Sequence, residues 1–141
     1  MIFVAASLTR FVFLWAPVVV YMAAIFYVSA QSSPPAPGGV PDYVLHAIEY
    51  FGLSVVVFRA VAGGFGRAVT ATRLKLTLLI TLAYAISDEV HQLFVPYRTA
   101  DVRDVLADMT GAAIGLGACW AWHIISAPKT HIADPKSQPP R

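Results

Sequence analysis

The residues able to do chemistry gather in three short stretches. In PDYVLHAIEY, Asp42, His46, Glu49 and Tyr50 stand at i, i+4, i+7 and i+8, on one face of a helix. In ISDEVHQLFVPYR, Glu89 and Gln92 are spaced i, i+3, and Asp88 and His91 form a second such pair on the adjacent face. In DVRDVLADMTGAAIG, Asp101, Asp104 and Asp108 follow at i, i+3 and i+7. So many carboxylates, close together, do not all ionise cheaply; some must be protonated or bridged by a cation. A divalent cation is therefore a possible cofactor, with His46, Glu49, Glu89 and Asp104 as candidate ligands. Arg98 and Arg103 flank the turn between the second and third stretches. Their guanidinium groups can take phosphate bidentately, or pair with Asp101 or Asp104.

The elements that must position these residues are membrane helices. The chain has 141 residues, 57% hydrophobic and only 13% charged, against about 25% charged in soluble domains. Four blocks are long enough to cross a bilayer: about 11–30, 43–61, 74–95 and 102–125. The third must include the polar stretch, because residues 74–86 alone make about 20 Å of helix against a hydrocarbon core of about 30 Å. Residues 1–127 read as one all-α, integral membrane four-helix bundle, and residues 128–141 as a disordered cytoplasmic tail. The first block also has features of a cleavable signal peptide, with Val28-Ser29-Ala30 at its end, but its apolar run is longer than usual for one. Arg10, the group Arg59, Arg67, Arg73 and Lys75, and the tail's Lys129, Lys136 and Arg141 predict both termini and the second loop on the cytoplasmic side. The net charge of +2, with no dense basic patch, argues against a nucleic-acid partner. The single cysteine, Cys119, excludes an internal disulfide.

Helical rise brings the three polar faces to one depth. His46 and Glu49 fall roughly 5–9 Å from the outer end of the second span, Glu89 about 9 Å from the end of the third, and Asp108 roughly 10 Å into the fourth. Ionisable groups at such depth usually face a bundle interior or a wet cavity and mark a functional site. Gly111 and Gly115 form a GxxxG that continues the Asp104 and Asp108 stripe, so this face should meet another helix closely.

The pattern Asp42…His46…Tyr50, then Glu89-x-x-Gln92-x-x-x-Pro96-x-Arg98, then Asp104-x-x-x-Asp108-x-x-Gly111, resembles the VanZ-like membrane proteins. It departs from them at Tyr43, where many members carry lysine, and at Tyr97, where glycine is usual; Asp108 stands where asparagine is common and aspartate is also familiar. The resemblance implies a small multi-pass protein of the bacterial cytoplasmic membrane, in a cell-envelope context linked through the founding member to resistance to the glycopeptide antibiotic teicoplanin.

Three functional readings follow. The first is an outward-facing pocket for a lipid-linked headgroup, a polyprenyl phosphate or a peptidoglycan precursor, formed by Asp42, His46, Glu89, Gln92, Arg98, Asp104 and Asp108, with Glu49, Tyr50, His91 and Arg103 in support. The second is an intramembrane metal-dependent hydrolase, although neither HExxH nor Gly-x-Ser-x-Gly is present. The third is a structural polar network that only holds helices together.

Overall fold

The structure, a computed structural model, describes residues 2–33 and 38–126, with side chains from residue 7 onward. The tail and the centre of the first loop lie outside the described residues. Four helices follow in order: α1 (Ile2–Ser29), α2 (Asp42–Ala62), α3 (Ala71–Gln92) and α4 (Val102–Ser126). No strand occurs among the described residues. The fold is an all-helical bundle, as the apolar blocks predict.

Local chemistry sets the helix limits. Gly63 ends α2 in the left-handed region, φ 81°, and the N–H groups of Gly63 and Gly64 donate back to the carbonyls of Ala60 and Arg59. Thr70 caps α3, its hydroxyl accepting from the Arg73 N–H at 3.3 Å. Asp101 caps α4 in the same way, its Oδ1 accepting from the Arg103 N–H at 2.9 Å. Two limits differ from the expected spans. Helix α1 starts at Ile2 rather than near residue 11. Helix α3 covers 71–92 rather than 74–95, because Pro96 disfavours helical geometry at the residue before it. Phe94 and Val95 instead close short turns onto His91 and Gln92.

The turn that follows places Tyr97 at φ 65°, the one non-glycine in this region among the described residues. A side chain there costs about 1–2 kcal/mol. A glycine at this position would avoid that cost. Tyr97 is almost fully exposed, so its ring contributes no packing. Tyr97→Gly is expected to raise stability by about 1 kcal/mol, read as a higher midpoint of thermal unfolding in detergent.

The closest packing is between α2 and α4. A Cβ on Gly111 would overlap the carbonyl oxygen of Ala47, and one on Gly115 would meet the Ser54 hydroxyl and the Phe51 carbonyl. Helix α1 lies against α2, where the Tyr21 side chain covers Gly52 so closely that a Cβ would clash with its hydroxyl. Val18, Ile25, Tyr50, Leu53, Val57, Ala60 and Ala85 form the main core.

Pro17 sits inside α1 and has no N–H for the carbonyl of Phe13. Arg59 of α2 supplies the missing donor: its Nη1 lies 3.3 Å from the Phe13 oxygen, and its guanidinium covers the Phe13 ring at 4.7 Å. The charge thus repairs a gap in the backbone ladder while lying over an aromatic face.

Polarity is inverted relative to a soluble domain. Phe13, Val20, Leu79, Leu106, Trp122 and Ile125 are more than half exposed, while Asp88, Glu89 and Asp108 are at most 6% exposed. Three helices are long and apolar enough to cross a membrane: Ser7–Ser29 within α1, α2 and α4. Helix α3 is less apolar, because its last turns carry Asp88, Glu89, His91 and Gln92. Three of those four are buried against other helices, while Leu76, Leu79, Ile86 and Val90 form its exposed stripe. Its 22 residues span about 33 Å, so α3 matches its neighbours in length.

Candidate functional site

The C-terminal ends of α1 and α3 and the N-terminal ends of α2 and α4 meet at one end of the bundle, and the buried acids lie there. His46 of α2 and Asp108 of α4 face each other, Nδ1 to Oδ1, at 3.0 Å. Asp88 of α3 accepts from the Ser29 hydroxyl of α1 at 2.7 Å and from the Gln92 amide one turn on at 3.2 Å. Glu89 accepts the backbone N–H of Asp101 at 2.9 Å, tying α3 to the start of α4.

Satisfaction is uneven. The buried hydroxyls further along the bundle donate within their own helices: Ser54 to the Phe51 carbonyl, Thr77 to Arg73 and Thr81 to Thr77. At the acidic end, Glu89 Oε1, Asp108 Oδ2 and the Tyr50 hydroxyl are buried with no hydrogen-bond partner among the described residues. A buried polar atom left unpaired costs about 1–3 kcal/mol, and more when charged. These open oxygens set the acidic end apart from the rest of the bundle, where the buried hydroxyls are satisfied.

Two sets of ligand atoms converge on His46. The ligand atoms of His46, Glu89 and Asp108 lie within 4.8 Å of one another, all three residues buried. Those of Asp42, His46 and Asp104 do the same nearer the rim, where Asp42 is exposed. His46 also lines a cavity of about 90 Å³, together with Ser29, Asp42, Glu49, Asp88, Gln92 and Arg98 among others. Taking about 30 Å³ per water, it holds a few waters or a phosphoryl group, not a disaccharide. Arg98 reaches it from the loop, with Nη1 3.7 Å from Asp42 Oδ2 and its Nε buried and unpartnered.

The structure therefore brings together Asp42, His46, Glu89, Gln92, Arg98, Asp104 and Asp108, with Glu49 on the cavity wall. Other expected members stand elsewhere. His91 stacks on Phe26 of α1, ring centres 4.2 Å apart, and does not line the cavity. Arg103 is exposed and contributes only its backbone N–H to the cap of α4. Tyr50 is fully buried in the core beside Tyr84. Arg98 faces Asp42 rather than Asp101 or Asp104. Gly111 and Gly115 do mark a close helix contact, and the partner is α2.

Two lining residues escape the sequence reading. Ser29 ends the first helix and looks like part of a cleavage motif. The i, i+3 spacing pairs Asp88 with His91 along the helix, but helix rotation turns it inward onto Ser29 and Gln92. The larger cavity, about 630 Å³ at the other end of α2 and α4, has walls of Phe51, Phe58, Phe65 and Trp122 and no carboxylate.

Apolar outer surfaces around a buried acidic cluster define a helical membrane protein with a polar chamber at one end. A protein-family model described as VanZ/LLP1 matches residues 42–124, more than half of the chain and all of the helices that carry the acids. The chain belongs to the VanZ/LLP1 family. No curated protein and no solved structure gives a significant match.

Proposed function

We propose that this protein binds the phosphate-bearing headgroup of a membrane lipid, a polyprenyl phosphate or a lipid-linked wall precursor, at the outer face of a bacterial cytoplasmic membrane. The observation that carries the reading is Arg98. It is a largely buried guanidinium on the wall of a phosphate-sized cavity, with an unpartnered Nε and only a long contact to Asp42. Guanidinium offers five donors in a planar fork suited to phosphate. Asp42 and Gln92 stand beside it to orient the rest of a headgroup, whose sugar or peptide part would remain outside the small cavity.

The side of the membrane is argued from charge. Arg10 of α1 donates to the Gly63 carbonyl at the end of α2, so the basic group containing Arg59, Arg67, Arg73 and Lys75 lies at the end opposite the acids. The positive-inside rule then supports a cytoplasmic position for that end and an outer position for the chamber. Occupancy by a wall precursor would alter teicoplanin susceptibility, which fits the family context. The reading is one of binding and assigns no bond cleavage.

Charge-assisted hydrogen bonds are worth about 1.5–3 kcal/mol, and each 1.4 kcal/mol is a factor of about ten. Arg98→Ala is therefore expected to weaken binding of a polyprenyl monophosphate about 10- to 100-fold, measured by native mass spectrometry of the purified protein. Arg98→Lys should lose less, because it keeps the charge without the fork. Unchanged binding in Arg98→Ala would rule the reading out.

A further inference from the structure

We infer that His46, Glu89 and Asp108 hold one divalent transition-metal ion between α2, α3 and α4. The site differs from the headgroup cavity although His46 is a wall of both, and it stands whether or not a lipid binds.

Three observations support it. The three ligand atoms, one from each helix, lie within 4.8 Å of one another. Donor atoms around an ion at about 2.1 Å stand about 3.4 Å apart, so small side-chain rotations close the set. Next, the residues are nine-tenths or more buried, at 5%, 6% and 0% exposed for His46, Glu89 and Asp108. Most telling are the open atoms. Glu89 uses Oε2 on the Asp101 N–H and leaves Oε1 without a partner, and Asp108 uses Oδ1 on His46 and leaves Oδ2 without one. Glu89 is thus steadied by one oxygen and offers the other, while Asp108 and His46 already face each other with donor atoms 3.0 Å apart, close to the spacing an ion between them needs. Hydrogen bonds that fix a ligand while leaving its second atom free are the usual surroundings of a metal site.

Charge favours the same ion. Two buried carboxylates, a neutral His46 and a dication sum to zero; without the ion, Asp108 is paired by His46 and Glu89 is held only by the Asp101 N–H. One imidazole and two carboxylates suit Zn²⁺ or Mn²⁺ better than Ca²⁺ or Mg²⁺, which prefer all-oxygen ligands. Asp42 and Asp104, grouped near the same His46, add negative potential on the rim side. The rim set is the weaker candidate, because Asp42 is exposed and engaged with Arg98.

The full chain, purified in detergent, stripped with chelator and re-equilibrated with Zn²⁺, Mn²⁺, Mg²⁺ or Ca²⁺ in turn, provides the test. Bound metal is counted by mass spectrometry and affinity is read by calorimetry. We expect one Zn²⁺ or Mn²⁺ per chain and at least 100-fold weaker binding in Glu89→Gln and Asp108→Asn. Ser87→Ala should bind within about threefold of the natural chain, since the Ser87 hydroxyl is exposed and donates to the Tyr84 carbonyl within α3. Variants are compared only where they elute as monodisperse species with a cooperative thermal transition. Failure of the natural chain to retain any of the four ions overturns the inference, whatever the variants do. So does retention that Glu89→Gln and Asp108→Asn leave unchanged. Polyprenyl phosphate binding measured in parallel separates the two readings. Metal retained without lipid binding supports the ion site and removes the headgroup reading; chelator-insensitive lipid binding by a chain that retains no metal removes the ion site alone.

Discussion

Replacing Gly111 with valine is expected to separate α2 from α4. A Cβ at this position already overlaps the backbone oxygen of Ala47. Unlike a side chain, that carbonyl cannot rotate away without breaking α2, so the whole interface must open. Opening it exposes the pairing of His46 with Asp108, three residues before the glycine and on the same seam. We expect a loss of about 3 kcal/mol or more, at the upper end of overpacking costs. This is a large share of a typical total stability of about 5–15 kcal/mol. The readout is loss of monodisperse protein in gel filtration and of the cooperative thermal transition. Gly117→Ala is the control. No atom lies within 4 Å of a Cβ there, and alanine is favoured over glycine inside a helix by roughly 0.5–1 kcal/mol. A Gly111→Val protein as stable as the Gly117→Ala protein would show that the seam is not as close as described.

The second large effect lies within the seam itself. His46→Leu leaves Asp108, whose side chain is 1% exposed, without its one direct partner among the described residues. Breaking a buried ion pair by removing one member costs about 3–5 kcal/mol, because the other charge is stranded. We expect about 3 kcal/mol here, since a carboxylate stranded in a bundle can still be neutralised by protonation. Replacing both residues removes the stranded charge. The double variant His46→Leu, Asp108→Leu should recover to within about 1 kcal/mol of the natural chain. A double-mutant cycle on chelator-stripped protein, followed by thermal unfolding in detergent, isolates this coupling from any bound ion. Equal destabilisation in the single and double variants would mean that shape, not charge, holds the site. Stability regained in the double variant together with lost binding would show that the pair is kept for function at a cost in stability.

The fold class was legible in the amino-acid sequence, and so was the grouping of most of the candidate residues. Four apolar blocks of bilayer length, too few charges for a soluble surface, and short polar linkers leave little but a helical membrane bundle. The periodicity of a helix grouped His46, Glu89, Gln92 and Asp108 on faces that are buried, with Asp104 half-buried and Asp42 exposed at the rim, since rise per residue converts spacing directly into distance. GxxxG showed where one close contact would fall, because its mechanism is local to a helix face.

Relations between helices were decided only by tertiary structure. Spacing along α3 cannot say how far the helix is rotated about its axis, and that rotation turned Asp88 onto Ser29 and sent His91 to the ring of Phe26. Nor does a lone glycine declare its partner: Gly52 under Tyr21 has no motif to mark it. Arg98 met Asp42, a residue far away in sequence, because the turn at Pro96 and Tyr97 folds the loop back over the start of α2. The open oxygens of Glu89 and Asp108 belong to the same class. Which oxygen of a carboxylate is taken and which is left depends on atoms brought in by other helices, and it is this unevenness that separates a site able to hold an ion from acids that merely lie at the same depth.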